Sequence, residues 1–341
     1  MEEQKMINSL VNIAKDYENC SFDKVHVTKW LDQFPESSRL AILIELNNIL
    51  KYTYFSKEAL INFLRMALTD KQIFKKDLQE YKFINPQTKG NSQKEMLKLI
   101  NEIFEAELGL ELSDCGKGEI ASYVYVDDVF YSGNRLKRDI EAWVSSLGEG
   151  LSIKRLDILY IAVHERNLEY VHNKLKELLP NTEVGIFYGI KFRDSIKNSK
   201  YSFEAYLPLG NQKFNSNAVN YVSRLDALRT EPQKKYIPLF RERSVYFKDD
   251  YFTCSLNRNT VEKLFFEKGV QITEYSIAPN FNMRPMGYDY SNTLGFGSYV
   301  VTYRNIANNC PLVLWWGDPT SNFGINNWYP LFPRTTNEGI I

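Results

Sequence analysis

Cysteine and histidine are scarce in this chain. The four cysteines, Cys20, Cys115, Cys254 and Cys310, lie far apart and form no CxxC pair. The three histidines, His26, His164 and His172, show no metal-ligand spacing. Both observations argue against a zinc site. Apolar runs such as Ile158 to Val163 are far too short to cross a bilayer, so no membrane partner is expected. The opening MEEQKMINSL lacks a basic n-region and an apolar h-region, so it does not read as a signal peptide. A soluble, reducing, cytoplasmic protein is expected. An excess of charge is also missing, with 42 Lys plus Arg against 42 Asp plus Glu. The chain as a whole therefore lacks the basic surplus of a nucleic-acid binder, although a local patch can hide in that balance. There is no internal repeat, no low-complexity tract, no GxxxxGK[ST] phosphate loop and no GxGxxG; Gly295-Phe296-Gly297 is an isolated GxG.

What is present is ordinary globular material, 44% hydrophobic and 25% charged, with 22 Tyr, 21 Phe and 5 Trp. A length of 341 residues suggests about two domains and burial of roughly three quarters of the unfolded surface, without disulfides or a structural metal. The first 80 or so residues read as helices. Ile7, Leu10, Val11, Ala14 and Tyr17 keep a helical stripe, and Pro35-Glu36-Ser37-Ser38 breaks the chain with Ser37 or Ser38 as N-cap. A helix through Leu40 to Leu50 follows, and Ser56 caps the next, which carries Ala59, Leu60, Phe63, Leu64 and Ala67. After the turn Asn85 to Asn91, Ser92-Gln93-Lys94-Glu95 reads as a capping box opening a helix with Met96, Leu97, Leu99, Ile100, Ile103 and Phe104.

From about residue 121 the pattern alternates. Tyr123 to Val126 is β-prone and ends in Asp127-Asp128; Leu136 to Leu147 is helical; Ile158 to Val163 is a buried strand. Asn167 caps a helix stopped by Pro180, and Val184 to Tyr188 is another strand. Strand, helix, strand, helix, strand with near-continuous apolar strands predicts an α/β fold with a parallel sheet covered on both faces. Later residues are irregular and aromatic, with strand candidates at Ser202 to Leu207, Gly297 to Tyr303 and Pro311 to Trp316.

The chemistry concentrates in Val124-Tyr125-Val126-Asp127-Asp128-Val129-Phe130-Tyr131-Ser132-Gly133-Asn134-Arg135-Leu136. Ligands of open α/β sheets bind outside the carboxyl ends of strands. Two carboxylates there can accept hydrogen bonds from vicinal sugar hydroxyls and help hold Mg²⁺, directly or through water. The small loop and the helix N-terminus behind it suit a phosphate. An acid pair followed by a phosphate cradle is the layout for a ribose 5-phosphate. The bland alternative is a pair of aspartates closing a strand.

The stretch resembles the phosphoribosyl pyrophosphate (PRPP) motif of type I phosphoribosyltransferases. The resemblance implies a phosphoribosyltransferase-like parallel sheet, Asp127 and Asp128 on the ribose hydroxyls and near Mg²⁺, and Tyr131, Ser132, Gly133, Asn134 and Arg135 around the 5′-phosphate. Ser132 and Arg135 both stand where the family usually carries Thr. The family's pyrophosphate loop has its candidate in Thr88-Lys89-Gly90-Asn91-Ser92, with Lys89 as the cation and Gly90 as the tight turn; a plain helix entry is the alternative. His164 and Glu165, ending the next strand, border the same crevice or simply terminate a strand. Arg241 and Arg243 read either as phosphate contacts or as part of a solvated ion pair.

Trp30-Leu31-Asp32-Gln33-Phe34 and the tail, with Leu294 to Ser298, Tyr303 to Ile306, Asn308-Asn309 and Leu314 to Trp316, are similar to elements of phosphoribosyltransferase-like proteins from bacterial conflict (anti-phage) systems. Such proteins are inferred to act beside ATPases or reverse transcriptases, as effectors or nucleotide-handling components. In the tail, Trp315, Trp316 and Arg334 either contact a base or partner or pack the core. Three regions are expected: helical 1–82, a phosphoribosyltransferase-like core at 83–205, and an aromatic C-terminal element at 206–341. Two functional readings stay open. One is a phosphoribosyltransferase serving as a defence effector. The other is a non-catalytic sensor of PRPP or nucleotides, or a partner-binding subunit. Nucleic-acid contact through the tail is a third, weaker option.

Overall fold

The computed structural model describes residues 1–87, 90–147, 153–193, 203–204, 207–241, 252–275, 280–289, 291–321, 324–336 and 339–340. Along the chain run α1 (Glu2–Ile13), α2 (Lys24–Leu31), α3 (Glu36–Thr53), β1 (Tyr54–Phe55), α4 (Lys57–Thr69), β2 (Tyr81–Ile84), α5 (Ser92–Ile103), β3 (Ser122–Phe130), α6 (Asn134–Ser146), β4 (Arg155–His164), α7 (Leu168–Leu178) and β5 (Glu183–Arg193). Then follow α8 (Ser216–Ala227), α9 (Glu231–Tyr236), α10 (Ser255–Thr273) and α11 (Leu312–Trp315). Two compact units result: Glu58–Arg193, which holds the sheet, and Met1–Lys57 together with Asp194–Ile341.

In the sheet unit, β2, β3, β4 and β5 lie side by side in that order, all parallel. Successive side chains of β3 point to opposite faces. On one face Tyr123 stacks against Trp143 of α6, and Tyr125, Ile158 and Tyr160 join Leu136, Ile140, Val171 and Leu175 of α6 and α7 in one core. On the other face Phe83 of β2 meets Phe104, the residue after α5, edge to face at 5.8 Å. The helices following β2 and β3 thus leave the sheet on opposite faces. Such a divergence opens a crevice at the carboxyl ends of the two neighbouring strands.

The other unit is built on aromatics. Trp30 Nε1 and Trp328 Nε1 both donate to the Val313 carbonyl, at 2.8 and 3.0 Å. Phe34 packs edge-on against Trp328 and Trp30. The Gln33 carboxamide donates to the Tyr329 carbonyl and accepts from its N–H, both at 2.8 Å. The Trp-x-x-Gln-Phe element and the tail therefore share one core. Two buried carboxylates tie in α10. Glu45 of α3 accepts from the Thr253 N–H at 2.9 Å and from its hydroxyl, just ahead of the helix. Glu262 takes Arg258 at 2.9 Å and Arg241 at 2.6 Å.

Several local expectations are corrected. β3 does not stop at the acid pair: Asp127 pairs with Tyr160, and Val129 and Phe130 with Ala162 and Val163, since a backbone ladder is indifferent to the side chain it carries. Pro311 to Trp316 is a helical turn, with the Trp316 N–H on the Leu312 carbonyl at 2.8 Å. A short all-apolar run does not show its period. Within Gly297 to Tyr303 only Val301–Thr302 is strand, paired with β1. Gly295 and Gly297 hold positive φ there and turn the chain. Within Ser202 to Leu207 the described strand is Phe203–Glu204. Pro35, not Ser37 or Ser38, precedes α3, because proline's fixed φ suits a helix entry. Arg241 is in a buried ion pair, not a solvated one; Glu242 and Arg243 lie outside the described residues.

Candidate functional site

Asp127 and Asp128 stand near the carboxyl end of β3, whose ladder runs on to Phe130. Asp127 is 2% exposed, on the face of Tyr125, while Asp128 is half-buried. Asp127 Oδ1 accepts from the Asp128 N–H at 2.9 Å, its Oδ2 faces the Tyr125 hydroxyl at 3.3 Å, and the Ser92 hydroxyl bonds to the same carboxylate. Tyr125 Oη lies 3.0 Å from Asp139 Oδ2 as well. Burial, then the charge of Asp128, pushes the Asp127 carboxyl up to about 7, against the pull of Ser92, the Asp128 amide and Arg135. Burial likewise raises Asp139, Tyr125 and Tyr160, so both phenols stay protonated and able to donate.

The turn after β3 is shaped by Gly133, whose φ of +74° places it in the left-handed region as the N-cap of α6. A Cβ there would lie 2.3 Å from Val171 Cγ2 and 2.8 Å from the Phe130 ring. Ser132 Oγ accepts from the Asn134 N–H at 3.3 Å. Gly133 offers no side chain to cap α6, so the first-turn N–H groups beyond that of Asn134 keep their capacity for an anion. Asn167, expected to cap α7, makes no such bond; its amide donates instead to the Tyr131 carbonyl at 3.1 Å and anchors the turn. Tyr131, Ser132, Gly133, Asn134 and Arg135 thus form one bend beside the acid pair.

The loop ahead of α5 faces the same strand end. Lys89 lies outside the described residues. Gly90 has φ +106°. The expected capping box is not formed: Asn91 is the N-cap and makes no side-chain cap bond to α5, while Ser92 and Gln93 are engaged elsewhere. Gln93, fully buried, accepts from the Gln87 N–H at 3.1 Å and donates to the Val126 carbonyl at 3.3 Å. The Gln87 carboxamide lies 2.9 Å from Arg135 Nη1 and 3.2 Å from the Gly90 carbonyl, and both are satisfied with its oxygen assigned to the guanidinium and its nitrogen to the carbonyl. The structure therefore brings together the acid pair, the Tyr131–Arg135 turn and Gly90.

Gln87, Gln93 and Asp139 join this network without having been assigned a role in the site from sequence, as do Ser92, quoted only as the end of the Thr88–Ser92 loop and in a capping box, and Tyr125, quoted only as part of the strand. Gln93 carried a readable signal, a polar residue on the stripe of Met96, Ile100 and Ile103. His164 is the buried last residue of β4, and Glu165 is ion-paired with Lys191 at 2.9 Å. In the other unit Trp315 and Trp316 are buried, Trp315 donates to the Cys310 carbonyl at 2.8 Å, and Arg334 lies over the Trp315 ring and donates to the Ile306 carbonyl at 3.1 Å. Among the described residues no group of three or more His, Cys, Asp and Glu side chains could hold a metal ion. The two adjacent carboxylates fit Mg²⁺ as partners in a shell otherwise made of ligand oxygens and water. Among the described residues no helix is long and apolar enough to cross a membrane.

A four-stranded parallel arrangement carrying an acid pair at one strand end, with a glycine-opened helix behind it, defines a phosphoribosyltransferase-like protein. The family model described as PRTase-CE matches residues 27–334, and the chain belongs to that family, phosphoribosyltransferase-like proteins with a C-terminal element. No curated protein and no solved structure matches the chain significantly.

Proposed function

We propose that the chain binds Mg²⁺–PRPP at the carboxyl ends of β2 and β3 and transfers its phosphoribosyl group to an acceptor, as an effector of an anti-phage defence system. One observation carries this reading: Asp127–Asp128 and the Gly133 turn are neighbours on one strand end, with Gly90 facing them. In the transfer, an acceptor lone pair forms a bond to ribose C1 while the C1–oxygen bond to pyrophosphate breaks. Pyrophosphate leaves with the electron pair, and the acceptor gives up a proton. The chain's contribution is positional and electrostatic. Asp128, half-exposed, accepts from the ribose hydroxyls, and Asp127 orients it by taking its N–H. The amides of the α6 N-terminus hold the 5′-phosphate. Asp127 and Asp128 would hold Mg²⁺, which would supply charge neutralisation for the leaving pyrophosphate.

A second reading has its own observation. Asp127 is buried and already bonded to Asp128, Tyr125 and Ser92, as in a site that binds without turning over. On that reading the chain senses PRPP or a nucleotide, or serves as a subunit beside an ATPase or reverse transcriptase. Calorimetric titration of PRPP with Mg²⁺ tests both. Wild-type binding that is lost in the Asp127→Asn/Asp128→Asn variant supports the site. Pyrophosphate release in the presence of acceptors then separates the enzyme from the sensor. A folded wild type that binds no PRPP overturns the transferase and the PRPP sensor, and leaves the nucleotide-sensing or partner-binding subunit, which nucleotide titration and pull-down then test.

A further inference from the structure

Arg135 is the second residue of α6, just past the turn that suits a 5′-phosphate. Its guanidinium does not stay over that turn. Nη1 lies 2.9 Å from the end of the Gln87 carboxamide, on the loop that follows β2, and the amide satisfies both Arg135 and the Gly90 carbonyl when its oxygen is assigned to the guanidinium. A Cβ placed on Gly90 would lie 3.2 Å from the same nitrogen, and Gly90 has φ +106°, so the backbone there leaves room next to the guanidinium. The positive charge of Arg135 also acts on Asp127 and Asp139. The side chain thus spans the crevice between the two strand ends.

We propose that Arg135 is the cation that receives the pyrophosphate of the ligand, not its 5′-phosphate. This rests on the PRPP reading above. Two anion positions are then distinct. The first-turn N–H groups of α6, left uncapped by a side chain of Gly133, serve the 5′-phosphate. Arg135, together with the backbone at Gly90, serves the pyrophosphate. A guanidinium pairs with phosphate oxygens through two parallel N–H bonds, and such charged pairs are roughly twice as strong as neutral ones. The Gln87 carboxamide is a neutral partner, so an anionic oxygen displaces it from Arg135.

The test uses three probes in calorimetry with Mg²⁺: PRPP, inorganic pyrophosphate and ribose 5-phosphate. Arg135→Gln is expected to weaken PRPP and pyrophosphate by about ten- to hundredfold, the loss of a charged pair, and to leave ribose 5-phosphate unchanged. Arg135→Lys keeps the charge and loses the fork, so it is expected to fall between wild type and Arg135→Gln for the first two probes. It also guards against a folding defect in the glutamine variant. Equal losses for ribose 5-phosphate and PRPP would overturn the proposal and return Arg135 to the 5′-phosphate. Unchanged binding of all three probes in both variants would overturn it too. A wild type that binds none of the probes overturns the PRPP reading itself, and the assignment of Arg135 with it.

Discussion

Gln93 Nε2 donates to the carbonyl of Val126, the residue immediately before the acid pair, at 3.3 Å. Its Oε1 takes the N–H of Gln87, so one buried side chain joins the loop after β2 to the end of β3. Substituting Gln93→Leu keeps the volume and removes both bonds. A buried N–H and a buried carbonyl then lose a partner, at a cost of about 1–3 kcal/mol each. The urea midpoint is expected to fall with an unchanged m-value, and Mg²⁺–PRPP binding to weaken in the folded variant. An unaltered midpoint would show that Gln93 holds nothing in place.

Asp127 carries a signature in pH. Its folded-state value, about 7, stands above the 3.8 of a free aspartate. The folded state therefore favours the protonated carboxyl. Stability from this group is present at low pH and is lost as pH rises from near the unfolded value through the folded one. Asp127→Asn removes the titration while its amide can still accept from the Asp128 N–H and donate toward Tyr125. Its melting temperature is expected to gain on the wild type steadily between pH 4.5 and pH 8. A gap that stays constant with pH would refute the buried, neutral Asp127.

Much of this was legible in the chain. Apolar runs separated by helical stripes defined β3, β4 and β5, because strands buried on both faces admit little else. The acid pair and Ser132-Gly133 were legible because their chemistry depends on adjacent residues. The network around them was not. Gln87, Gln93 and Arg135 meet only when β2 and β3 lie side by side, and nothing local announces that pairing. Ser92-Gln93-Lys94-Glu95 illustrates the conflict: it matches a capping box, yet Ser92 bonds to Asp127 and Gln93 to Val126. Tertiary partners outcompeted the local bond. Arg241 misled in the opposite direction, since its buried partner Glu262 is distant in sequence.

Gly133 combines backbone and packing demands. With φ +74° and a Cβ position 2.3 Å from Val171 Cγ2, an alanine strains the backbone and collides with α7. Left-handed strain alone costs about 1–3 kcal/mol. Gly133→Ala is expected to lower the urea midpoint and to abolish ribose 5-phosphate binding, because the turn must shift away from α7 and takes the first N–H groups of α6 with it. Chemical denaturation and calorimetry on the same preparation check both effects. Retained ribose 5-phosphate binding would place the phosphate elsewhere.

His26 sets an acid limit on the other unit. It is 5% exposed, Nε2 lies 2.7 Å from the Leu331 carbonyl, and Nδ1 lies 2.8 Å from the Tyr329 hydroxyl. A carbonyl only accepts, so the ring proton sits on Nε2 and Nδ1 accepts from the tyrosine. Burial lowers the His26 value from 6.5 in spite of the Leu331 bond and Asp23. A depressed histidine adds stability above its unfolded value, and that contribution is lost as pH falls through about 6.5 and below. Protonating Nδ1 would also turn it from acceptor to donor and force the Tyr329 hydroxyl to rotate. Tyr329 is the residue whose backbone Gln33 holds, so the loss is felt where α2 meets the tail. The wild-type melting temperature is expected to drop between pH 7.5 and pH 5 more steeply than that of His26→Gln. The variant starts lower at pH 7.5, since it gives up the ring's packing against Phe22 and Tyr329. Parallel curves for the two proteins would mean that His26 does not sense this range.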